Sequence, residues 1–227
     1  MDVRPVLTRP KVRAAAGFLV AALGVLGLGV GAQPSLAAAD TKTASSLTVV
    51  VNKTHPLQPI TYAPVLGSYN LAKPASDAFI VMRSAMAKAG AGDLVLISGF
   101  RSYASQKAIF NRNVGRFGRA ETLKITALPG YSEHQTGLAA DLGATGQGCR
   151  AYPCFANTKA GKWLAANSWQ FGFILRYPNG ATAITGYDFE PWHFRFVGKQ
   201  TAKAMHLAKA TVLETFFGLP PAPAYLK

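Results

Sequence analysis

From Ser76 onward the apolar positions follow a helical period. Phe79, Met82, Met86 and Ala89 fall on one face and Gly90 ends the run, which predicts a helix over 76–89. Leu94 to Ser98 is a short apolar run with a buried-strand pattern, followed by a second helix over 102–114. Gly137 to Leu142 alternates and suits a strand. A third helix is predicted over 158–168, with Asn157 or Thr158 as its cap. Strands are predicted over 173–177 and 192–197, and a last helix over 199–210. Ahead of all these, Leu47 to Val51 is β-prone, and 52–74 is rich in proline and turn residues, as an extended wrap would be. Helices and strands mix without a βαβα rhythm. That predicts an α+β fold, a small antiparallel sheet flanked by helices, in one domain over 47–227.

Composition changes this picture at the N-terminus. Residues 2–13 carry Arg4, Arg9, Lys11 and Arg13 against Asp2, and residues 14–32 carry no charge. Small residues follow, with Ala37, Ala38 and Ala39 just before Asp40. A basic start, an apolar stretch and an A-x-A site describe a secretory signal; the stretch is also nearly long enough to anchor in a bilayer. Residues 1–39 are therefore expected to be a signal peptide or membrane anchor, and 40–46, small and polar, a linker. Either way the domain works outside the cytoplasm, secreted or held at the cell envelope. The leader also explains a mean hydropathy of +0.15.

The chain has 227 residues with Lys and Arg 24, Asp and Glu 10, a charge of +14. Without residues 1–39, 20 bases and 9 acids remain, a charge of +11. Lys and Arg never stand adjacent after Asp40, so no nucleic-acid stripe is visible. An exported basic protein instead suits an anionic cell envelope, with the membrane met only through an uncleaved leader. Charged residues make up only 15% and hydrophobic ones 49%, which excludes a charge-rich disordered chain. The two cysteines, Cys149 and Cys154, are expected to pair across a small loop, since a metal site would need a second cysteine pair.

The chemistry is crowded into two stretches of a chain poor in acids. SEHQTGLAAD (132–141) holds Glu133, His134 and Asp141, and YDFEPWHFR (187–195) holds Asp188, Glu190 and His193. A histidine in a turn held by Gly137 and an aspartate at a strand end can converge on one point. Pro191 prevents regular strand pairing before His193, so Glu190 and His193 can both turn inward. Two histidines, one carboxylate and a water make a tetrahedral zinc site with an open position. Glu190 is then free to act as general base. Glu133 and Asp188 compete for that role, but neighbours on an extended run diverge, so Glu133 should face away from the metal. His55 and His206 lack acidic company and read as structural or solvated.

Three ordered motifs, SGFRSYASQ (98–106), PGYSEHQTGLAAD (129–141) and TGYDFEPWHFRFVG (185–198), resemble the VanY-type D-alanyl-D-alanine carboxypeptidases. These belong to the zinc peptidase group that also contains lysostaphin-like enzymes and the hedgehog fold. The likeness runs from about Val50 to Gly198, with VNKTHPL (51–57) and FGFILRYPNG (171–180) resembling connecting segments. Phe100 and Phe196 stand where tyrosine is common, and neither alters a ligand. The resemblance implies a hedgehog/D-Ala-D-Ala-peptidase-like fold and Zn2+ held by His134, Asp141 and His193. It implies Glu190 as base, and Arg101 at the polarised substrate carbonyl, a residue that could otherwise be a structural ion pair. Gln106, Ser132, Tyr187 and Trp192 would line the peptide pocket. The implied activity is removal of the terminal D-alanine from peptidoglycan stem peptides. L,D-carboxypeptidase or endopeptidase action on wall peptides is the alternative within enzymes. A non-catalytic cell-wall-binding module is the alternative outside them.

Overall fold

The computed structural model describes residues 39–149 and 152–226. Residues 1–38 of the expected leader 1–39 lie outside the described residues, so the signal or anchor reading has no structural counterpart here. Four strands form one antiparallel sheet in the order β1-β2-β4-β3: β1 Leu94–Ser98, β2 Ala139–Ala144, β3 Phe173–Leu175 and β4 His193–Phe196. Among the described residues six α-helices flank it: α1 Lys73–Lys88, α2 Tyr103–Ile125, α3 Lys159–Asn167, α4 Thr182–Thr185, α5 Lys199–Leu207 and α6 Leu213–Phe216. This is the α+β arrangement expected from the sequence.

The core sits between α1, α3 and the sheet. Phe79, Met82 and Met86 of α1 meet Leu94, Leu142, Phe173 and Phe194 of the strands, with Phe155 and Leu164 closing the side. Strands β2 and β4 are buried throughout because they are the central pair. A smaller cluster joins Val50, Ile174 and Val197 to Met205 of α5 and Leu213 of α6.

Three local departures from the sequence expectation have clear causes. The apolar run 47–51 buries Val49, Val50 and Val51 but pairs with no strand among the described residues. Carbonyls of Leu47 and Val49 instead accept hydrogen bonds from the Arg195 guanidinium (3.2 and 2.7 Å), which takes the place of a ladder. Helix α2 runs to Ile125 rather than Val114, passing Gly118 with φ 76° and ψ 162°, a non-helical kink that glycine permits. The stretch 40–46 is folded by Asp40, which accepts from the backbone amides of Lys42 and Thr43 (3.1 and 2.9 Å), and Ala44 is buried.

Candidate metal and catalytic centre

Sheet register brings the first two groups together. Asp141 of β2 and His193 of β4 are direct cross-strand partners, and opposed residues of an antiparallel pair project their side chains from the same face. On the other side of β2 the register shifts: Leu96 pairs with Leu142 but Ser98 with Asp141, leaving Ile97 bulged outward. The bulge sets Ser98 beside Asp141. His134 arrives from the 3-10 turn Glu133–Thr136, which Gly137 closes at φ 69°. A Cβ on Gly137 would stand 2.8 Å from the Ala72 nitrogen, so only glycine fits. One donor atom from each of His134, Asp141 and His193 lies within 4.8 Å of the other two.

The hydrogen bonds fix which nitrogens face the centre. His134 Nδ1 lies 2.7 Å from the Gly99 carbonyl, which can only accept, so Nδ1 carries the proton. Its Nε2 lies 2.9 Å from Arg101 Nη2, which can only donate, so Nε2 presents a lone pair. Burial, then the charge of Arg101, lowers the His134 pKa and keeps the ring neutral. His193 uses the opposite edge. Its Nε2 faces Glu133 Oε2 at 3.4 Å, and Nδ1 faces Asp141 Oδ1 at 3.3 Å and Glu190 Oε2 at 3.4 Å. Burial opposes charge on His193, but hydrogen bonds to Asp141 and Glu133 and the nearby carboxylates prevail, lifting its pKa to about 9.

This donor set fits a divalent metal. Asp141 Oδ1 is buried and makes no well-formed hydrogen bond among the described residues, with the His193 ring edge 3.3 Å away, and two imidazole edges are held outward by an acceptor each, as metal-bound histidines require. Glu190 comes from the turn before β4, where the His193 amide donates to the Glu190 carbonyl (3.0 Å) and stacks the two side chains. Burial raises the Glu190 carboxyl to about 7, against the pull of His193. Asp188, by contrast, is exposed.

Arg101 precedes α2, whose cap Ser102 accepts from the Ser105 amide (3.1 Å). Its guanidinium meets Asp141 Oδ2 (2.8 Å), Ser98 Oγ (2.9 Å) and Gln106 Oε1 (3.3 Å). The ion pair and the place in the centre are therefore both real. Gln106 also donates to the Ala127 carbonyl (2.8 Å), so it fastens Arg101 to the pocket wall. A cavity of about 330 Å³ opens over the centre, and Ser132, Tyr187 and Trp192 line it together with Arg101 and Gln106. Cys149 and Cys154 are bonded to each other, with Cα atoms 6.1 Å apart, and are not among the residues lining this cavity.

One expectation is corrected. Glu133 does not turn away from the centre. Residues 133–136 form a 3-10 turn, not an extended run, and the turn drives Glu133 inward behind His193. Its Oε1 accepts from Arg176 Nε and Arg195 Nη1, both at 2.8 Å, while Oε2 backs His193. Arg176 is gripped in turn by Glu214 (2.9 and 2.6 Å), which also accepts from Asn52 (3.0 Å). All four charged side chains are fully buried. Burial disfavours the Glu133 carboxylate, but the two guanidinium groups outweigh it and hold its pKa well down. Sequence patterns missed this network, although arginines inside the apolar runs FILRYP and HFRF were a signal of buried pairing.

A His-Asp-His donor set with a partly buried glutamate alongside and an arginine facing it defines a metal-dependent hydrolase centre. Residues 68–199 match the family described as VanY, D-alanyl-D-alanine carboxypeptidase. The chain belongs to that family. It is 34% identical over 176 residues to the bifunctional D-Ala-D-Ala dipeptidase and D-Ala-D-Ala carboxypeptidase VanXYC of Enterococcus gallinarum, covering 73% of this chain and 90% of that one. It is 42% identical over 144 residues to YodJ of Bacillus subtilis, covering 63% of this chain, and spans about half (52%) of that relative's length. Among solved structures, the LD-carboxypeptidase LdcB superposes with TM-score 0.67 at 37% identity, over 74% of this chain and 84% of that one. A mutant of the vancomycin resistance D,D-pentapeptidase VanY in complex with Zn(II) superposes with TM-score 0.65 at 29% identity, over 76% and 98%.

Proposed function

We propose that this chain is a zinc carboxypeptidase that removes the terminal D-alanine from peptidoglycan stem peptides outside the cytoplasm. The observation that carries the reading is the convergence of three metal-donor atoms with a partly buried Glu190 outside that donor set, all lining one cavity. Zinc held by His134 Nε2, Asp141 and His193 Nδ1 would supply Lewis acidity, polarising the scissile carbonyl and bringing the pKa of a water toward ~7. Glu190 takes the proton of the attacking water and returns it to the leaving D-alanine amine. A carboxyl raised to about 7 suits both transfers near neutral pH. Arg101, held by Ser98 and Gln106, offers a planar fork to the charge developing on the carbonyl oxygen. Ser132, Tyr187 and Trp192 shape the peptide pocket. The basic surplus of the chain suits an anionic envelope, and the leader in the sequence supports export.

The likeness to LdcB favours a second reading, L,D-carboxypeptidase activity with the same centre. One assay tests both. Purified protein is incubated with defined pentapeptide and tetrapeptide stems and the products are weighed by mass spectrometry. Loss of one alanine from the pentapeptide is expected; loss from the tetrapeptide alone transfers the assignment to the second reading. Intact peptides in both reactions would sink the proposal.

A further inference from the structure

Two walls of the substrate cavity come from separate parts of the chain. One is the exit of α2, with Ile125, Thr126 and Ala127; the other carries Tyr187, after α4. Residues outside the stretch that matches the family, 68–199, bridge the two walls. Lys53, from the N-terminal wrap, donates from Nζ to the Leu123 carbonyl at 2.8 Å and to the Gly186 carbonyl. Its ammonium also sits 4.6 Å from the centre of the Tyr187 ring. Tyr225, from the C-terminal tail, accepts from the Leu128 amide (2.9 Å) and shares a hydrogen bond with the Tyr187 hydroxyl (3.3 Å). Its ring packs edge-on against Tyr131 with centroids 5.2 Å apart, next to pocket residue Ser132.

The tail is seated, not loosely draped. The Ala222 amide donates to the Ile184 carbonyl (2.7 Å). Gly186, at φ 78°, leaves room for the tail: a Cβ there would stand 2.5 Å from the Ala222 oxygen and 2.8 Å from Lys53 Cδ. Each bridge therefore spans from the α2 exit to the 186–187 turn.

We infer that Tyr225 and Lys53 are positioning residues that set the width of the peptide pocket by tying Tyr187 to the α2 exit. The role rests on the carboxypeptidase reading, in which Tyr187 meets the peptide. Neither residue touches the metal donors, so substrate binding and not the bond-breaking step depends on them. A peptide held between two walls loses affinity when one wall is free to move, because the ordering cost then falls on the binding event.

The test is Tyr225→Phe, which keeps the ring and removes both hydroxyl contacts. The expected result is a KM for the stem peptide raised about 3–10-fold, with kcat within twofold and zinc content unchanged, as for the loss of ground-state binding. A brace that merely stabilised the fold would lower melting temperature and active fraction together and leave KM alone, and that outcome overturns the inference. So does a variant indistinguishable from the parent. Calorimetric peptide binding in Glu190→Gln, with and without Tyr225→Phe, reads the brace without turnover. A weaker Kd in the double variant supports it even if the parent hydrolyses neither stem peptide, and an equal Kd refutes it.

Discussion

Glu133→Gln is the most informative single change. It leaves the side chain's shape in place, removes the carboxylate that pairs with Arg195, and weakens the acceptor behind His193. Arg176 keeps Glu214, so one of the two guanidinium groups stays paired. Removing one partner of a buried pair costs about 3–5 kcal/mol, and the surviving Arg176–Glu214 contact places this case near the lower end. At about 3 kcal/mol a domain of this size should melt roughly 6–12 °C lower. The second consequence is local. Loss of an outer carboxylate behind a ligating histidine typically weakens metal binding about 10–100-fold. Zinc affinity is read by competition with a chromophoric chelator, and stability by thermal melting of the metal-free protein. Glu214→Gln is the control, since it disturbs Arg176 and Asn52 without touching His193. It should melt lower yet bind zinc within a few-fold of the parent. If Glu133→Gln binds zinc as tightly as the parent, Glu133 does not orient His193 and the reasoning fails.

Other outcomes are as specific. Glu190→Gln should retain zinc and peptide binding while turnover falls about 10²–10⁴-fold; a parent rate with D-alanyl-D-alanine peptides would remove Glu190 as base. In the metal-free protein His193 is held up to about 9, so below that pH a metal must displace its Nδ1 proton. Zinc affinity should therefore rise with pH by up to ~tenfold per unit between pH 7 and 9, with about one proton released at pH 7 by calorimetry in two buffers. Affinity independent of pH would contradict that protonation state. Gly137→Ala places a side chain at φ 69° and against Ala72, and should cost more than ~1 kcal/mol in thermal stability while weakening zinc binding through His134. Unchanged melting would show the turn to be more tolerant than its geometry.

The centre was more legible in the sequence than its surroundings were. His134, Asp141, Glu190 and His193 stand in short motifs, and the strand alternation around Asp141 already pointed its side chain one way. The supports of the centre depend on contacts between distant residues. Glu133 was misjudged because local period decides direction, and a single 3-10 turn reverses the inference from an extended run. Arg176 and Arg195 reach Glu133 from 43 and 62 residues away, and Glu214 meets Arg176 across 38, which no spacing rule reveals. The run 47–51 has strand composition, yet its carbonyls go to a guanidinium. Lys53 and Tyr225 reach the pocket only because the two ends of the domain pass over it.

The pairing of Asp141 with His193 across β2 and β4 has a kinetic meaning. His134 and Asp141 are close in sequence, but the third donor lies 52 residues beyond Asp141, past α3 and β3. Closing a segment of that length costs about 3–4 kcal/mol of chain entropy, and only the completed ladder repays it. A metal meeting the unfolded chain finds only two of the three donors of this site close together. A one-residue slip of β4 would turn His193 to the opposite face of the sheet. Capture of a metal by all three donors would thus belong to the late, long-range stage of folding, and tight binding would report that the two central strands have zipped in the right register.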